Sequence, residues 1–165
     1  DNVPDSEAYG VEGELTIRPA TGVTLAANAL WLKTRINDYD GTNAAGQPEN
    51  FDGAEFIYSP EFQGSVTIAY DTPVSDTLNL TGAVSARYQS KSNTIFEDLD
   101  LYKVDAYGTV NASLGLKSES GWSVSLWAKN LFDKYYWSAV ASNANVVVRF
   151  ANQPRTWGLT VGYDF

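Results

Sequence analysis

The sequence has no cysteine, no histidine and no methionine. Without cysteine there is no disulfide framework, no four-cysteine zinc site and no thiol nucleophile. Without histidine, Ser-His-Asp triads and almost every catalytic zinc site are excluded. Cations are scarce, with 11 Lys+Arg against 20 Asp+Glu and a formal net charge of −9. They do not cluster, so no nucleic-acid partner is expected. No run of about 18 apolar residues exists, and no helix is expected to span a membrane. The start, Asp1-Asn2-Val3-Pro4-Asp5-Ser6-Glu7, carries neither an initiator Met nor a basic stretch leading into an apolar one. The expectation is a segment of a longer polypeptide.

What remains is apolar, aromatic and strongly periodic. Of 165 residues 44% are hydrophobic and 13% aromatic, with 10 Tyr and 5 Trp, too apolar for a disordered tail. The dominant period is two, the signature of strands with one face in each of two environments. A first apolar row holds Tyr9, Val11, Gly13, Leu15 and Ile17. A second holds Val23, Leu25, Ala27, Ala29 and Trp31, and a third Phe62, Gly64, Val66, Ile68 and Tyr70. The fourth runs Leu78, Leu80, Gly82, Val84, Ala86, Tyr88, and the fifth Val104, Ala106, Gly108, Val110, Ala112, Leu114, Leu116. Trp122, Val124, Leu126, Ala128 and then Trp157, Leu159, Val161, Tyr163, Phe165 complete seven predicted strands. No row contains a charge. The alternate rows carry Glu12, Glu14, Arg18, Glu61, Asp71, Arg87, Asp105, Lys117, Lys129 and Asp164.

A soluble β-sandwich also alternates, and a carbohydrate-binding sandwich is the rival fold. Connection length separates the two. Short turns at 19–22, 72–77 and 119–121 alternate strictly with long connections at 40–59, 90–103 and 134–154. Compact soluble domains seldom carry three such loops, whereas a transmembrane barrel has short turns on one side and long loops on the other. Aromatics sit at strand ends: Tyr70, Trp122, Tyr163 and Phe165 towards the short turns, Tyr9, Trp31, Phe62, Tyr88 and Trp157 towards the long loops. Two such girdles bracket an apolar band in membrane barrels. The reading is an all-β, antiparallel up-and-down transmembrane β-barrel segment. Seven strands is an odd number, and bacterial barrels have even counts of about eight or more. The chain therefore reads as the C-terminal arc of a larger barrel.

Specific residues then suggest a family. Trp127-Ala128-Lys129-Asn130-Leu131-Phe132-Asp133-Lys134-Tyr135-Tyr136, followed by Pro154-Arg155-Thr156-Trp157 and the alternating strand to Phe165, resembles the C-terminal end of TonB-dependent outer-membrane receptors. Tyr9-Gly10-Val11-Glu12-Gly13-Glu14 resembles that barrel more weakly. The resemblance implies a barrel of about 22 strands plugged by an N-terminal domain. It implies residence in a Gram-negative outer membrane and binding of a scarce nutrient: a ferric siderophore, cobalamin or an oligosaccharide. Energy would come from the inner-membrane TonB complex. Residues 1–165 would then be the C-terminal portion of the barrel domain, without the plug, and no enzyme. A passive porin is the rival within transport. A hydrolase barrel would need acid–base chemistry without His, and no carboxylate pair stands out for it.

Candidate residues follow from position. Arg87, Gln89, Asp105, Tyr107, Trp127 and Lys129 fall on the polar rows near the long-loop ends and are candidate wall contacts for a polar ligand. Tyr136 and Trp137 in the last loop are candidate stacking platforms, with Asn143 and Asn145 as hydrogen-bonding neighbours. Leu159, Val161, Tyr163 and Phe165 resemble the strand signal read by the barrel-assembly machinery, consistent with an apolar strand adding to a sheet edge. Asn130, Leu131, Phe132, Asp133, Tyr135, Pro154 and Arg155 are expected to be structural, since polar side chains satisfy backbone groups where strands end. The acidic stretches Asp38-Tyr39-Asp40-Gly41 and Glu97-Asp98-Leu99-Asp100 read as solvated loop charge, because Gly41 is misplaced for a calcium loop. Neither metal nor cofactor is expected.

Overall fold

The computed structural model describes residues 5–143 and 146–164; Asn145 and Phe165 of the sequence reading lie outside them. In chain order the strands are β1 (Asp5–Ala20), β2 (Val23–Asp38), β3 (Asp40–Thr42), β4 (Pro48–Asn50), β5 (Phe62–Ser75), β6 (Leu78–Gln89) and β7 (Ser92–Asn93). After a single 3-10 turn (Asp100–Tyr102) come β8 (Lys103–Val104), β9 (Tyr107–Ser118), β10 (Trp122–Lys129), β11 (Trp137–Asn143), β12 (Val146–Ala151) and β13 (Thr156–Tyr163). Seven of them form one sheet in the order β1-β2-β5-β6-β9-β10-β13. Every neighbouring pair is antiparallel, as an up-and-down meander requires.

Register turns seven separate periodicities into one surface. Residues paired across an antiparallel ladder share a face, so each paired row extends the next. The rung Ile17–Leu25–Ile68–Val84–Ala112–Ala128–Trp157 crosses all seven strands without a polar residue. The alternate rung Thr16–Ala26–Thr67–Ser85–Asn111 is small and mostly polar. A one-residue slip anywhere would interchange the faces, so the apolar pattern fixes the register.

Among the described residues nothing covers the middle of the apolar face. Val11 is 69% exposed, Leu114 60% and Val161 68%. In water such a face would aggregate; in a bilayer it meets its solvent, and the backbone groups are satisfied within the ladder. Val23–Asp38 has 16 residues, which at about 3.4 Å per residue exceeds the roughly 25 Å apolar band of an outer-membrane barrel. The upper part of β2 accordingly projects beyond the girdle of Tyr9, Trp31, Phe62 and Tyr88. The rings of Tyr9 and Trp31 meet edge-on at 6.1 Å, and Phe62 and Tyr88 lie 6.1 Å apart. At the other end the turns are tight. Gly121 adopts φ +94, and a Cβ there would collide with the Asp164 carbonyl; the same backbone accepts the Asp164 amide at 2.9 Å.

The long connections differ from expectation. Each of the stretches read as a long connection contains a short pair of strands and has somewhat wider bounds: β3–β4 in 39–61 (L1), β7–β8 in 90–106 (L2) and β11–β12 in 130–155 (L3). The fifth apolar row begins late, because β9 starts at Tyr107 rather than at Val104. Val104 instead lies 2% exposed in a loop core with Tyr102 and Val140, flanked by Ile95, Tyr107 and Val147. Alternation does not distinguish a side chain buried by loops from one facing lipid. Asp105 falls in the break between β8 and β9, exposed, rather than on the polar row of a strand. The strand expected to turn at 72–77 runs on to Ser75, since Pro73 and Asn79 still pair.

Candidate functional site

The three long loops pack against one another above the polar face. L1 meets L2 where the Ala44 amide donates to Glu97 Oε1 at 2.9 Å and the Tyr58 amide donates to the Asn93 carbonyl at 2.8 Å. L1 meets L3 where the Tyr58 hydroxyl donates to the Val140 carbonyl at 2.7 Å. L2 meets L3 through the Tyr102–Val104–Val140 core and through Arg149 Nη2, which donates to the Leu101 carbonyl at 3.2 Å. A second aromatic cluster, Tyr39, Phe51 and Phe96, joins L1 to L2 with ring separations of 5.5–5.8 Å. Tyr58 holds φ 55, a left-handed conformation that costs a bulky residue and persists only where its surroundings enforce it. Both its backbone and its hydroxyl are tied to other loops.

Beneath this cap the sequence-predicted residues separate into groups. Tyr107, first in β9, stacks on Tyr136 of L3 at 3.8 Å and 20°. Its hydroxyl donates to Gln89 Oε1 at 2.9 Å, which links β9 to its partner strand. Tyr136 is held in turn by a hydrogen bond with the Asn152 amide. Arg87 lies two residues before Gln89 on the same face, exposed and without an ion-pair partner among the described residues. Stacked rings, an amide and a free guanidinium therefore occupy one stretch of wall under the loops.

Further along the face, Trp127 Nε1 donates to Thr160 Oγ1 at 3.1 Å, and Lys129 Nζ lies 5.7 Å from the indole centroid. The indole fits only because its paired residue on β13 is Gly158, whose hypothetical Cβ would collide with the ring. Trp127 and Lys129 border a shallow concavity of about 300 Å³ with Thr67, Ser85, Asn111 and Ser113. Two candidates stand apart. Asp105 is outside the strand, and Trp137 belongs to the hairpin, edge-on to Tyr135 at 5.0 Å with the Arg149 guanidinium over it at 5.7 Å. Asn152, Thr160 and Tyr58 had no sequence signal, since single polar residues in a loop or strand look alike until their partners are known.

The Asn130-Leu131-Phe132-Asp133 motif resolves into a backbone knot. Asn130 is buried at φ 49 and uses its whole amide. Its Nδ2 donates to the carbonyls of Lys134 and Gln153 at 3.0 and 3.2 Å, and its Oδ1 accepts the Lys134 amide at 2.9 Å. Asp133 Oδ1 accepts the Arg155 amide at 2.7 Å. The end of β10 is thus tied to the entry of β13, across the base of L3. Phe132 and Tyr135 stay exposed beside it. Leu159, Val161 and Tyr163 form the apolar row of β13, which among the described residues is the last strand of the sheet.

The acidic loop stretches are largely occupied. Asp40 accepts from Asn50 at 2.8 Å, and Asp98 and Asp100 both hold Lys103 Nζ, at 2.8 and 2.7 Å. Hydrogen bonds to Asp100 and Asp98 keep the Lys103 ammonium charged well above the usual lysine range, and Lys103 lowers the Asp100 carboxyl. Glu61 is lowered by Lys33 and by the Trp31 indole. Among the described residues no group of three His, Cys, Asp or Glu could hold a metal ion.

Known proteins match both the sequence and this geometry. The TonB dependent receptor-like, beta-barrel family matches residues 1–131. The ferric yersiniabactin uptake receptor FyuA from Yersinia pestis superposes with a TM-score of 0.81 at 21% identity, covering 97% of this chain and 24% of that one. The siderophore receptor PiuA from Acinetobacter baumannii gives 0.78 at 18% identity over 96% of this chain and 22% of its own. BauA, the ferric preacinetobactin receptor of the same organism, gives 0.70 at 25% identity over 97% and 22%. The chain therefore spans about a quarter of the length of these receptors. Family match and superposition agree with a sheet that is apolar on one face, girdled at both ends and capped by long loops on one side, and the chain belongs to the TonB-dependent receptor β-barrel family.

Proposed function

We propose that residues 1–165 are the C-terminal arc of a plugged, TonB-energised receptor in a Gram-negative outer membrane. The whole receptor imports a scarce nutrient of the ferric-siderophore class. This chain supplies about a third of a barrel of roughly 22 strands, together with three outer loops. Plug and TonB-contacting segment belong to the rest of the polypeptide. The β13 row of Leu159, Val161 and Tyr163 serves barrel assembly by offering an apolar strand to a growing sheet edge.

One observation carries the ligand reading: the Arg87–Gln89–Tyr107–Tyr136 stretch beneath interlocked loops. Stacked tyrosines suit planar, conjugated groups, and an unpaired guanidinium suits carboxylates or catecholates with bidentate geometry. Trp127 and Lys129 continue the same chemistry towards the concavity below. The siderophore-receptor neighbours favour this class over cobalamin and oligosaccharides.

The test is uptake by the full-length receptor in cells lacking their own siderophore receptors, with and without TonB. A panel of iron-loaded siderophores, cobalamin and oligosaccharides is the probe set. TonB-dependent iron uptake that falls at least about tenfold in Arg87→Ala or Tyr107→Ala, as loss of a charge-assisted or stacked contact predicts, supports the proposal. Uptake of equal rate without TonB makes the protein a passive channel. Growth on an oligosaccharide alone moves the ligand out of the siderophore class.

A further inference from the structure

The β11–β12 hairpin has two faces, and only one is occupied. Val140 and Val147 lie on the face towards L2, with Val140 2% exposed in the loop core, and Arg149 on that face donates to Leu101. Cross-strand pairing puts Ala139 with Phe150 and Ala141 with Val148 on the other face, followed by Val146. That face carries no charge. Val146 is 60% exposed, Val148 44% and Phe150 51%.

Lipid does not account for this exposure. The hairpin rises from β10 and β13 beyond the Asn130 knot, on the long-loop side of the girdle residue Trp157. Its apolar row is offset from the bilayer, in a position where an open apolar surface would meet water. The direction of the face is informative. L2 connects β6 to β9, and L3 connects β10 to β13, so the occupied face looks back along the sheet and the open face looks past β13. Among the described residues β13 is the terminal strand of the sheet. Within the chain each long loop is covered by the next, L1 by L2 and L2 by L3.

We infer that the open face of the β11–β12 hairpin is the docking surface for the outer loop carried by the barrel strand that pairs with the free edge of β13. The occupant is an uncharged, apolar loop segment of the same polypeptide, continuing the loop-on-loop packing around the barrel mouth. It fits a length argument, since the superposed receptors are about four times as long as this chain. The inference rests on the barrel-arc reading. L3 becomes a wall of the mouth held from both sides, and Tyr136 at its base is fixed by that packing as well as by Asn152 and Tyr107.

Cysteine labelling of the full-length receptor in intact cells tests it, and this stretch has no native thiol. Val148→Cys is compared with Ala45→Cys, at the exposed L1 tip, using a membrane-impermeant maleimide. Protection of Val148→Cys by at least about tenfold, the same with or without iron-loaded siderophore, is expected for a packed face. Equal labelling at the two sites overturns the inference. Protection that appears only on adding siderophore makes the face a ligand contact and also overturns it. A photo-crosslinker at Phe150 identifies the occupant: a peptide outside 1–165 of the same polypeptide supports the inference, whereas another protein or a peptide within 1–165 rejects it. A mature polypeptide near 18 kDa would instead remove the barrel-arc reading on which the inference stands.

Discussion

The sheet and the loops of this chain are stabilised in opposite ways. In the sheet the large apolar side chains face outwards, and order comes from six antiparallel ladders and a register that keeps charge off the apolar face between the girdles, Glu7, Lys33 and Arg35 lying on that face only beyond Tyr9 and Trp31. In the loops the pattern is that of a small soluble protein: Phe51, Tyr102, Val104 and Val140 are buried, with Ile36 from the projecting end of β2, beside the buried polar residues Ser92, Thr94 and Asn130. One chain thus solves the burial problem twice, once with lipid as the apolar phase and once with itself. The consequence is that the two regions should fail independently.

The largest separation is expected from a charge on the apolar face. Leu114 lies mid-sheet between Gly82 and Leu126 and is 60% exposed there. Leu114→Arg should destabilise the full-length receptor by about 2–4 kcal/mol, the cost of a cation near the bilayer midplane. Ser85→Arg, on the polar face three rungs nearer the long loops, should cost less than about 1 kcal/mol, since lumen-facing positions tolerate charge. The check is the folded fraction after refolding into lipid vesicles, read as the unboiled gel-mobility form. Equal losses would mean that the face assignment is wrong.

Asn130 joins the two regions, and its removal should affect both. Alanine leaves the Lys134 amide and the carbonyls of Lys134 and Gln153 without their partner and places a Cβ-bearing residue poorly suited to φ 49. A cost of about 2–3 kcal/mol follows from unsatisfied buried groups. Hydrogen exchange should quicken in both β13 and L3. Asn130→Asp, which keeps the acceptor but loses both donors, should fall between alanine and the native residue. An effect confined to L3 would show that the knot does not hold the last strand.

Inside the loops, Val104→Ala should cost about 2 kcal/mol of local stability, the burial value of most of one valine side chain. Exchange should rise in L2 and in the β11–β12 hairpin, with the gel-stable barrel unchanged. Loss of the barrel form in this variant would contradict independent failure.

What could be read in advance follows the same division. A strand between water and lipid must alternate, so Val66, Ile68, Val84 and Leu126 declare their face, and the seven strands with their girdles were legible. The loops obey tertiary packing instead. Val104 sits in phase with Val110 and Leu114 yet points into a loop core, and the hairpins at 40–50 and 137–151 are too short or too uniformly apolar to show a period. The candidate site straddled that boundary. Gln89 and Tyr107 could be placed on the polar face because they extend a polar row, while the contacts of Asn152 and Tyr58 left no mark in the sequence because they are tertiary.

The smallest expected effect concerns charge in L2 and leaves the sheet untouched. Asp100 is lowered by its hydrogen bond to Lys103, so its stabilising contribution is present above its ordinary value and lost as pH falls through the lowered one. Lys103 is raised by Asp100 and Asp98, so its contribution is full below the ordinary lysine value and lost only as pH rises beyond it. With ordinary values of about 3.9 and 10.4, the order of L2 should be flat from about pH 5 to 9 and weaken below about pH 4. Protection factors at 98–103, taken relative to the unstructured chain at each pH, provide the measurement. Asp98 and Asp100 are largely exposed, whereas the Lys103 side chain between them is 12% exposed, so the change should be modest and partly screened by salt. Lys103→Met should remove the acid dependence. If it persists in that variant, the titrating group lies elsewhere in the loops, with Glu61 beside Lys33 and Trp31 the next to test by Glu61→Gln.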